Sequence, residues 1–194
     1  MQSERASESD SLSPSKLRIL DAAEDLFANR GYAATSIVDI AESIGVRGPA
    51  IYKHYGSKAE VYDAVIDRLF TPMRQYMEQI GSSGNAGPSA PLEKLVKHHI
   101  DHPNIPRLIQ QATLSSGEHL EKLVDNWYRP FFARLPEADD STLPLIMAFH
   151  SMLLGYITLA PLHARIFNTD PLSEEQLAKH LALQARLAAD LQGG

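Results

Sequence analysis

Positive charge and tyrosine are concentrated between Arg47 and Lys58. The stretch reads RGPAIYKHYGSK and holds three fixed cations, one histidine and two tyrosines, with no carboxylate. Lys, Arg and Tyr side chains donate hydrogen bonds to phosphate oxygens, and a planar guanidinium can also donate two bonds to one base edge. This composition therefore favours a grooved polyanion as the partner.

The surrounding residues predict the local structure that carries these charges. One helical face is apolar and consists of Ile37, Ile40, Ala41 and Ile44. Gly45 is expected to end that helix, because glycine tolerates the left-handed conformation found at helix ends. Pro49 suits the first turn of a second helix. Residues 36–55 are therefore predicted to form a helix, a tight turn and a second short helix.

This pattern resembles the DNA-binding domain of the Tet-repressor (TetR) family of bacterial transcriptional regulators. The resemblance runs from Gly31 to Val61 and rests on Thr35, Ser36, Ile40, Ala41, Gly45, Val46, Ile51, Tyr52, His54, Tyr55 and Lys58. It implies a homodimeric repressor that binds a palindromic operator in double-stranded DNA and is released by a small-molecule effector. It also implies an all-α fold, with an N-terminal three-helix helix-turn-helix domain and a C-terminal helical domain for ligand binding and dimerisation.

The resemblance also carries over DNA contacts residue by residue. Those expected at or near the groove are Arg47, Gly48, Pro49, Tyr52, Lys53 and His54. Those whose side chains suit phosphates are Thr35, Ser36, Tyr52 and Lys58. Arg47 is the best candidate for a guanine edge, since its guanidinium can donate to O6 and N7 together. Pro49 stands where many members have glycine, which suits a helix start and argues against a backbone contact to phosphate.

The net charge of −6 argues at first against nucleic acid, but the charge is unevenly distributed. Residues 14–58 carry six basic and five acidic side chains, whereas residues 59–194 carry eleven and sixteen. Because salt screens exposed charges over about 10 Å, cations at a DNA groove matter more than a distant acidic excess. The acidic part is expected to be held away from DNA.

Three regions are expected along the chain. Residues 1–12 predict a disordered polar tail, residues 13–58 the helix-turn-helix domain, and residues 59–194 the helical domain. The tail resembles neither a signal peptide nor a membrane anchor, and the sequence has no cysteine, so a cytoplasmic protein without disulfides is expected.

The helical pattern divides these regions further. A first helix is predicted from Pro14 to Asn29, and residues 59–80 predict a connector helix that Pro72 bends. Glycine, serine and proline in residues 81–91 predict a flexible loop. Further helices are predicted at residues 92–101, 105–115, 118–135, 143–167 and 174–192. No segment alternates like a strand, which favours an all-α fold.

The last two predicted helices are too apolar to serve a single core. An isologous pairing of both helices across a two-fold axis would bury the excess as a four-helix interface. The residues assigned to this interface are Gly155, Ala160, Ala164, Leu177, Leu181, Ala185 and Ala188. A second stripe on the last helix consists of Leu183, Leu187 and Leu191. The alternative is a monomer in which these helices are fully buried.

A ligand cavity in the helical domain would need apolar walls and a few placed polar groups. The candidate residues are Arg107, Gln111, Trp127, Phe131, Met147, His150 and Ser151. Plain core, with His150 hydrogen-bonded internally, is the alternative.

A second function class rests on the segment KHHIDH at residues 97–102. His98 and His102 lie one helical turn apart with Asp101 nearby, so a metal-dependent helical enzyme or carrier is the alternative to a regulator. The neighbouring Lys97 would repel a metal cation, and a solvated helix end explains the histidines equally well. The sequence contains no recognisable catalytic motif, so the first interpretation is a protein that is not an enzyme and has no metal or other cofactor.

Overall fold

The computed structural model describes residues 13–83, 90–133 and 142–192. Every regular element within these ranges is a helix, so the predicted all-α class is confirmed. The chain divides into two compact units, Met1–Leu69 and Phe70–Gly194. The division falls inside the helix at whose first residues the sequence placed a boundary. The predicted tail at residues 1–12 lies outside the described residues.

The first unit is built from three helices and the start of a fourth. These are α1 (Pro14–Arg30), α2 (Ile37–Ser43), α3 (Gly48–Tyr52) and the first turns of α4 (Lys58–Ser83). Helix α1 begins where predicted, because the Ser13 hydroxyl accepts from the Lys16 amide at 3.4 Å and a proline occupies the first turn. The largest fully buried side chains of the unit are Leu20, Phe27, Ile40, Ile51, Val61 and Val65.

An ion-pair cluster joins α1 to α4. The Arg68 guanidinium donates to Asp21 Oδ1 at 2.6 Å and to Glu24 Oε2 at 2.5 Å. Arg68 and Glu24 are largely shielded from solvent, which makes their pair stronger than one at an open surface. Phe27 and Tyr62 pack edge to face beneath this cluster, with ring centroids 5.2 Å apart.

The second unit continues along α4 and adds short helices. They are α5 (Ala90–Asp101), α6 (Asn104–Ser115), α7 (Glu118–Leu123), a π-helical turn (Val124–Tyr128) and α8 (Arg129–Phe132). Pro72 lies inside α4 without ending it. Of the predicted loop at residues 81–91, residues 84–89 lie outside the described residues, while its two ends belong to α4 and α5.

The last part of the chain corrects one prediction. The single helix expected over residues 143–167 is two helices, α9 (Thr142–Thr158) and α10 (Ala160–Phe167), bent by 63°. Pro161 explains the break, since a proline lacks the amide donor and its ring crowds the preceding turn. A run of apolar residues hid this break in the sequence. The final helix, α11 (Glu174–Gln192), has the predicted bounds.

Taken together, the bent pair Ile146–Thr158 and Ala160–Phe167 has the length and apolar composition of a broken membrane span, whereas no single helix of the described ranges does.

A small apolar cluster holds the second unit together. Val96, Leu153 and Ile157 are buried, and they join α5 to α9. Leu172 and Leu181 pack against them and bring in the loop before α11 and α11 itself. This packing fixes α5 and α9, the two helices that carry histidines into the cavity described below.

Candidate nucleic-acid interface and apolar cavity

Helix α2 begins with a reciprocal pair of hydrogen bonds. The Ser36 hydroxyl accepts from the Asp39 amide at 3.1 Å, and Asp39 Oδ2 accepts from the Ser36 amide at 2.7 Å. This capping box satisfies two amides that the helix leaves open. The hydrogen bonds from Ser36 hold the pKa of the Asp39 carboxyl below its ordinary value.

The turn between α2 and α3 is fixed by the backbone. Gly45 has φ of 72°, a left-handed conformation that a side chain would strain. The Val46 amide donates to Ala41 O, and Arg18 donates to Ile44 O, both at 2.9 Å. Ile51 is fully buried and anchors α3 from the inside. The opposite side of α3 therefore faces outward.

The outward residues of this second helix form a cationic surface. The α3 surface, as we call it, consists of Arg47, Pro49, Tyr52 and Lys53, all of which are exposed. Tyr52 is 55% exposed, which is high for an aromatic side chain. Within residues 13–83, no described hydrogen bond or ion pair engages the Arg47 or Lys53 side chain. Gly48 and His54 lie beside the surface and are half-buried.

Thr35 and Ser36 differ from what the resemblance implied. Thr35 is 1% exposed, and its hydroxyl lies 2.9 Å from Gly31 O and 3.3 Å from Leu26 O, to which it donates. It is therefore unable to reach a phosphate. Ser36 is exposed, but its hydroxyl is engaged with Asp39 in the capping box.

Lys58 is also engaged inside the unit. Its ammonium donates to Tyr32 O and Thr35 O, both at 2.9 Å, and lies 4.1 Å from the centroid of the Tyr32 ring. These bonds satisfy carbonyls in the turn after α1. The sequence showed the charge of Lys58, but it could not show which acceptors the fold brings within reach.

The second unit contains a cavity of about 690 Å³, counted with its open mouth. Its apolar walls are Phe70, Met73, Leu95, Ile105, Trp127, Pro130, Phe131 and Phe132. Its polar lining residues are Arg74, His98, His99, Tyr128 and His150. A mostly apolar cavity with a few polar groups suits a small organic molecule.

The π-helical turn brings two aromatic residues to the cavity. Within it, the Arg129 amide donates to Val124 O, one residue further back than in an α-helix. Pro130 follows directly and has no amide to donate, which favours a local departure from α geometry. Trp127 and Tyr128 lie in this turn and pack against Phe70, with centroids 5.5 Å and 6.4 Å from its ring.

The buried polar groups of the cavity are uncharged. His99 is 6% exposed, and burial lowers its pKa to about 4. Its Nδ1 lies 2.9 Å from Leu95 O. Since a carbonyl only accepts, Nδ1 carries the proton. Tyr128 Oη lies 3.1 Å from His150 Nε2, and burial raises the pKa of Tyr128 and lowers that of His150.

Arg74 provides the fixed cation among the residues that line the cavity. Its guanidinium lies 4.6 Å from the centroid of the Trp127 ring, a cation–π contact. The side chain is otherwise exposed, so its charge remains in contact with solvent. The positive charge is therefore at the rim, while the imidazoles inside are neutral.

The histidines of residues 97–102 are not gathered into a metal site. His98 and His102 stack with ring centroids 4.8 Å apart, and Asp101 instead pairs with Lys97 at 3.0 Å. Across the described ranges, no group of three or more histidine, aspartate or glutamate side chains is arranged to hold a metal. This geometry gives the metal alternative no support.

Comparisons with known proteins agree with this architecture. The family model described as "Bacterial regulatory proteins, tetR family" matches residues 19–65. The HTH-type transcriptional repressor Rv3405c of Mycobacterium tuberculosis is 28% identical over 163 residues, which span 82% of this chain and 80% of that protein.

The chain belongs to the TetR family of transcriptional regulators. A transcriptional regulator from Aquifex aeolicus VF5 shares the fold with a TM-score of 0.61, at 21% identity over 90% of this chain and 98% of that one. The SmeT–triclosan complex shares it with a TM-score of 0.56, at 22% identity and 91% coverage of both chains. The first unit is therefore the helix-turn-helix DNA-binding domain of this TetR-family regulator.

The predicted cavity residues fall into two groups. Trp127, Phe131 and His150 line the cavity. Arg107, Gln111, Met147 and Ser151 are not among its lining residues, and Met147 is 61% exposed. Sequence reasoning missed Phe70, Met73 and Arg74, whose helical spacing on α4 was interpreted only as a connector, and it missed His99 beside them.

The predicted interface residues are also divided. Ala160 is buried, and Leu181 packs in the core cluster of its own unit. Gly155, Ala164 and Leu177 are half-buried, and the side chains of Ala185 and Ala188 lie outside the described residues. The large apolar side chains that α10 and α11 expose are Leu162, Ile166, Phe167, Leu183 and Leu187. On α11 the exposed stripe is therefore the second one, not the stripe assigned to the interface.

The two lysines near α3 should respond differently to truncation. We expect Lys58→Ala to lower the free energy of unfolding by about 1–2 kcal/mol, because two carbonyls lose a charged donor. Lys53→Ala, at an exposed position, should change it by less than about 0.5 kcal/mol. Urea unfolding of both variants measures the difference, and equal stability would argue against a structural role for Lys58.

His99 should make the fold less stable in acid. Its pKa is about 4 in the folded protein and 6.5 in the unfolded chain. Between these values the unfolded chain binds the extra proton, so stability falls as pH falls, by about 1.4 kcal/mol per pH unit from this group. Unfolding titrations of the native protein and His99→Gln should diverge in slope below pH 6.5, and parallel curves would contradict the burial of a neutral imidazole.

Proposed function

We propose that this chain is a homodimeric transcriptional repressor that a small molecule releases from a palindromic operator. The observation that carries the proposal is the α3 surface, which presents Arg47 and Lys53 outward on a helix anchored by buried Ile51. A second helix of a helix-turn-helix unit enters the major groove with its first residues against base edges. We place the protein in the cytoplasm, where operator DNA is found, and we assign it no catalytic role.

Position along the helix divides the proposed DNA contacts. Arg47 directly precedes the first residue of α3, so its guanidinium is suited to a guanine edge. Lys53 directly follows the last residue of α3 and is suited to the phosphate backbone. Tyr52, beside it, offers a phenol hydroxyl to the same backbone. Thr35 and Lys58 are left out of this interface because their donors are used inside the unit.

Dimerisation supplies the second copy of the α3 surface. The exposed apolar residues of α10 and α11 support a two-fold contact between these helices in two copies of the chain. Single exposed apolar residues are ordinary, but five on two consecutive helices make a patch. Two copies of α3 would then read half-sites about 34 Å apart, one turn of B-DNA, which requires a palindromic operator.

The cavity is the proposed effector site. Phe70, Met73 and Arg74 line it from α4, the helix whose first turns contribute Val61 and Val65 to the core of the DNA-binding unit. An effector that binds one orientation of α4 better than another would shift the dimer toward or away from the spacing that fits DNA. The SmeT–triclosan complex supports a small organic molecule as the effector class.

One experiment tests the proposal as a whole. Purified protein is mixed with random-sequence duplex DNA, bound duplexes are sequenced, and the mass of the protein is measured by sedimentation. A palindrome with half-sites one turn apart, bound by a dimer, is expected. A monomer with no preference among duplexes would contradict the proposal. A dimer whose operator affinity responds to no small molecule would indicate a constitutive DNA-binding protein.

Arg47 and Lys53 should affect specificity and affinity separately. Arg47→Ala should cost about 1–3 kcal/mol on the selected operator and relax the preference at one base pair of each half-site. Lys53→Ala should weaken binding to all duplexes alike and lower the slope of log K against log salt by about one per protomer contact. Binding titrations on matched and scrambled operators distinguish the two, and a uniform loss for Arg47→Ala would refute base reading.

The exposed stripe of α11 should control the oligomeric state. Leu183→Glu places a charge in the proposed interface and should convert the dimer to monomers, with operator affinity reduced at least tenfold. Leu114→Glu is the matched control, since Leu114 is 83% exposed on α6 and lies outside the patch. Sedimentation equilibrium measures the outcome, and an unchanged dimer in Leu183→Glu would exclude this stripe.

A further inference from the structure

The chemistry of the cavity restricts the effector, and this inference rests on the proposed function of the cavity. The residues that line it include no carboxylate, so a cationic molecule would find no counter-charge there. Arg74 is the single Lys or Arg among them, and it lies exposed against the face of Trp127. A carboxylate placed deeper would lose its hydration without gaining a charged partner. A neutral molecule is therefore favoured.

The protonation of His99 determines which polar group that molecule needs. Nδ1 points back to the carbonyl of Leu95 on its own helix and must carry the proton. In a neutral imidazole, Nε2 then has a lone pair and no hydrogen, and it belongs to the part of the ring farther from that backbone. His99 is nearly fully buried and lines the cavity. The deep polar group is thus an acceptor, and it requires a donor from the ligand.

The walls determine the rest of the molecule. Phe70 and Trp127 pack with ring centroids 5.5 Å apart and an interplanar angle of 41°, and Phe131 lines the same cavity. Aromatic faces and edges at these distances favour another aromatic ring over a flexible chain. We propose that the cavity binds a neutral aromatic molecule carrying a hydroxyl group, whose O–H donates a hydrogen bond to Nε2 of His99 while its ring packs among Phe70, Trp127 and Phe131.

The chain contains its own reporter for this site. Trp127 is the single tryptophan in the sequence and lines the cavity, so intrinsic tryptophan fluorescence reports ligand binding there. Three probes separate the ligand classes: para-butylphenol, its methyl ether para-butylanisole, and para-butylbenzoate. A phenol with a pKa near that of tyrosine, about 10, is neutral at pH 7. The ether has nearly the same shape but no hydroxyl hydrogen.

We expect the phenol to bind roughly tenfold more tightly than the ether, the effect of one hydrogen bond to a buried acceptor. His99→Phe should bring the phenol to the affinity of the ether. His102→Phe, at an exposed position just after α5, should keep the preference. Equal binding of phenol and ether, tightest binding of the benzoate, or no fluorescence change with any probe would overturn the proposed ligand class.

Two further measurements keep the test decisive. If circular dichroism shows that His99→Phe is unfolded, His99→Gln, whose amide oxygen can still accept, should retain the preference for the phenol. Operator affinity is then measured with each probe. A phenol that binds preferentially without changing operator affinity would support the ligand class and refute effector release. A benzoate that releases operator DNA would refute the ligand class and leave the proposed repressor function intact.

Discussion

A helix of five residues cannot hold its own orientation, and the recognition chemistry of this protein depends on that constraint. Helix α3 spans Gly48–Tyr52, too short to be stable in isolation. Its direction is therefore imposed by burial of Ile51 and by the turn in which the Val46 amide bonds Ala41 O. Because these contacts face inward, the polar residues on the opposite side must face outward. The cations are displayed as a consequence of how the apolar residues are packed.

Charge is distributed according to the same division between inside and outside. Lys58 and Arg68 lie close to buried residues, and both use their donors within the first unit, on carbonyls and on carboxylates respectively. A cation that is partly buried requires such partners, since desolvation without them is costly. Arg47 and Lys53 are exposed and are hydrated instead. Burial thus distinguishes the lysine that supports the fold from the lysine available to a phosphate, although both lie within one short cationic stretch of the sequence.

Sequence patterns predicted elements better than they predicted contacts. The bounds of α1, α2 and α11 follow from caps, apolar spacing and glycine, all of which are local signals. The break at Pro161 was missed because an uninterrupted apolar run dominated the pattern. In the cavity, Trp127 and His150 were found from their residue types, whereas Phe70 and His99 were not, since their role depends on which helices the fold brings together. Thr35 was misassigned for the same reason, because its hydroxyl is satisfied by carbonyls that lie earlier in the chain.

The neutrality of the cavity follows from its position beside a closely packed core. His99 lies on α5, three residues after Val96, whose packing against Leu153 and Ile157 holds that helix against α9. A charged imidazole there would have to be desolvated, so burial keeps the ring neutral and its Leu95 bond fixes one tautomer. A ligand therefore meets a hydrogen-bond acceptor that is already oriented and does not titrate near neutral pH. Such an acceptor selects by hydrogen bonding more than by charge, and packing of apolar residues alone sets that selectivity.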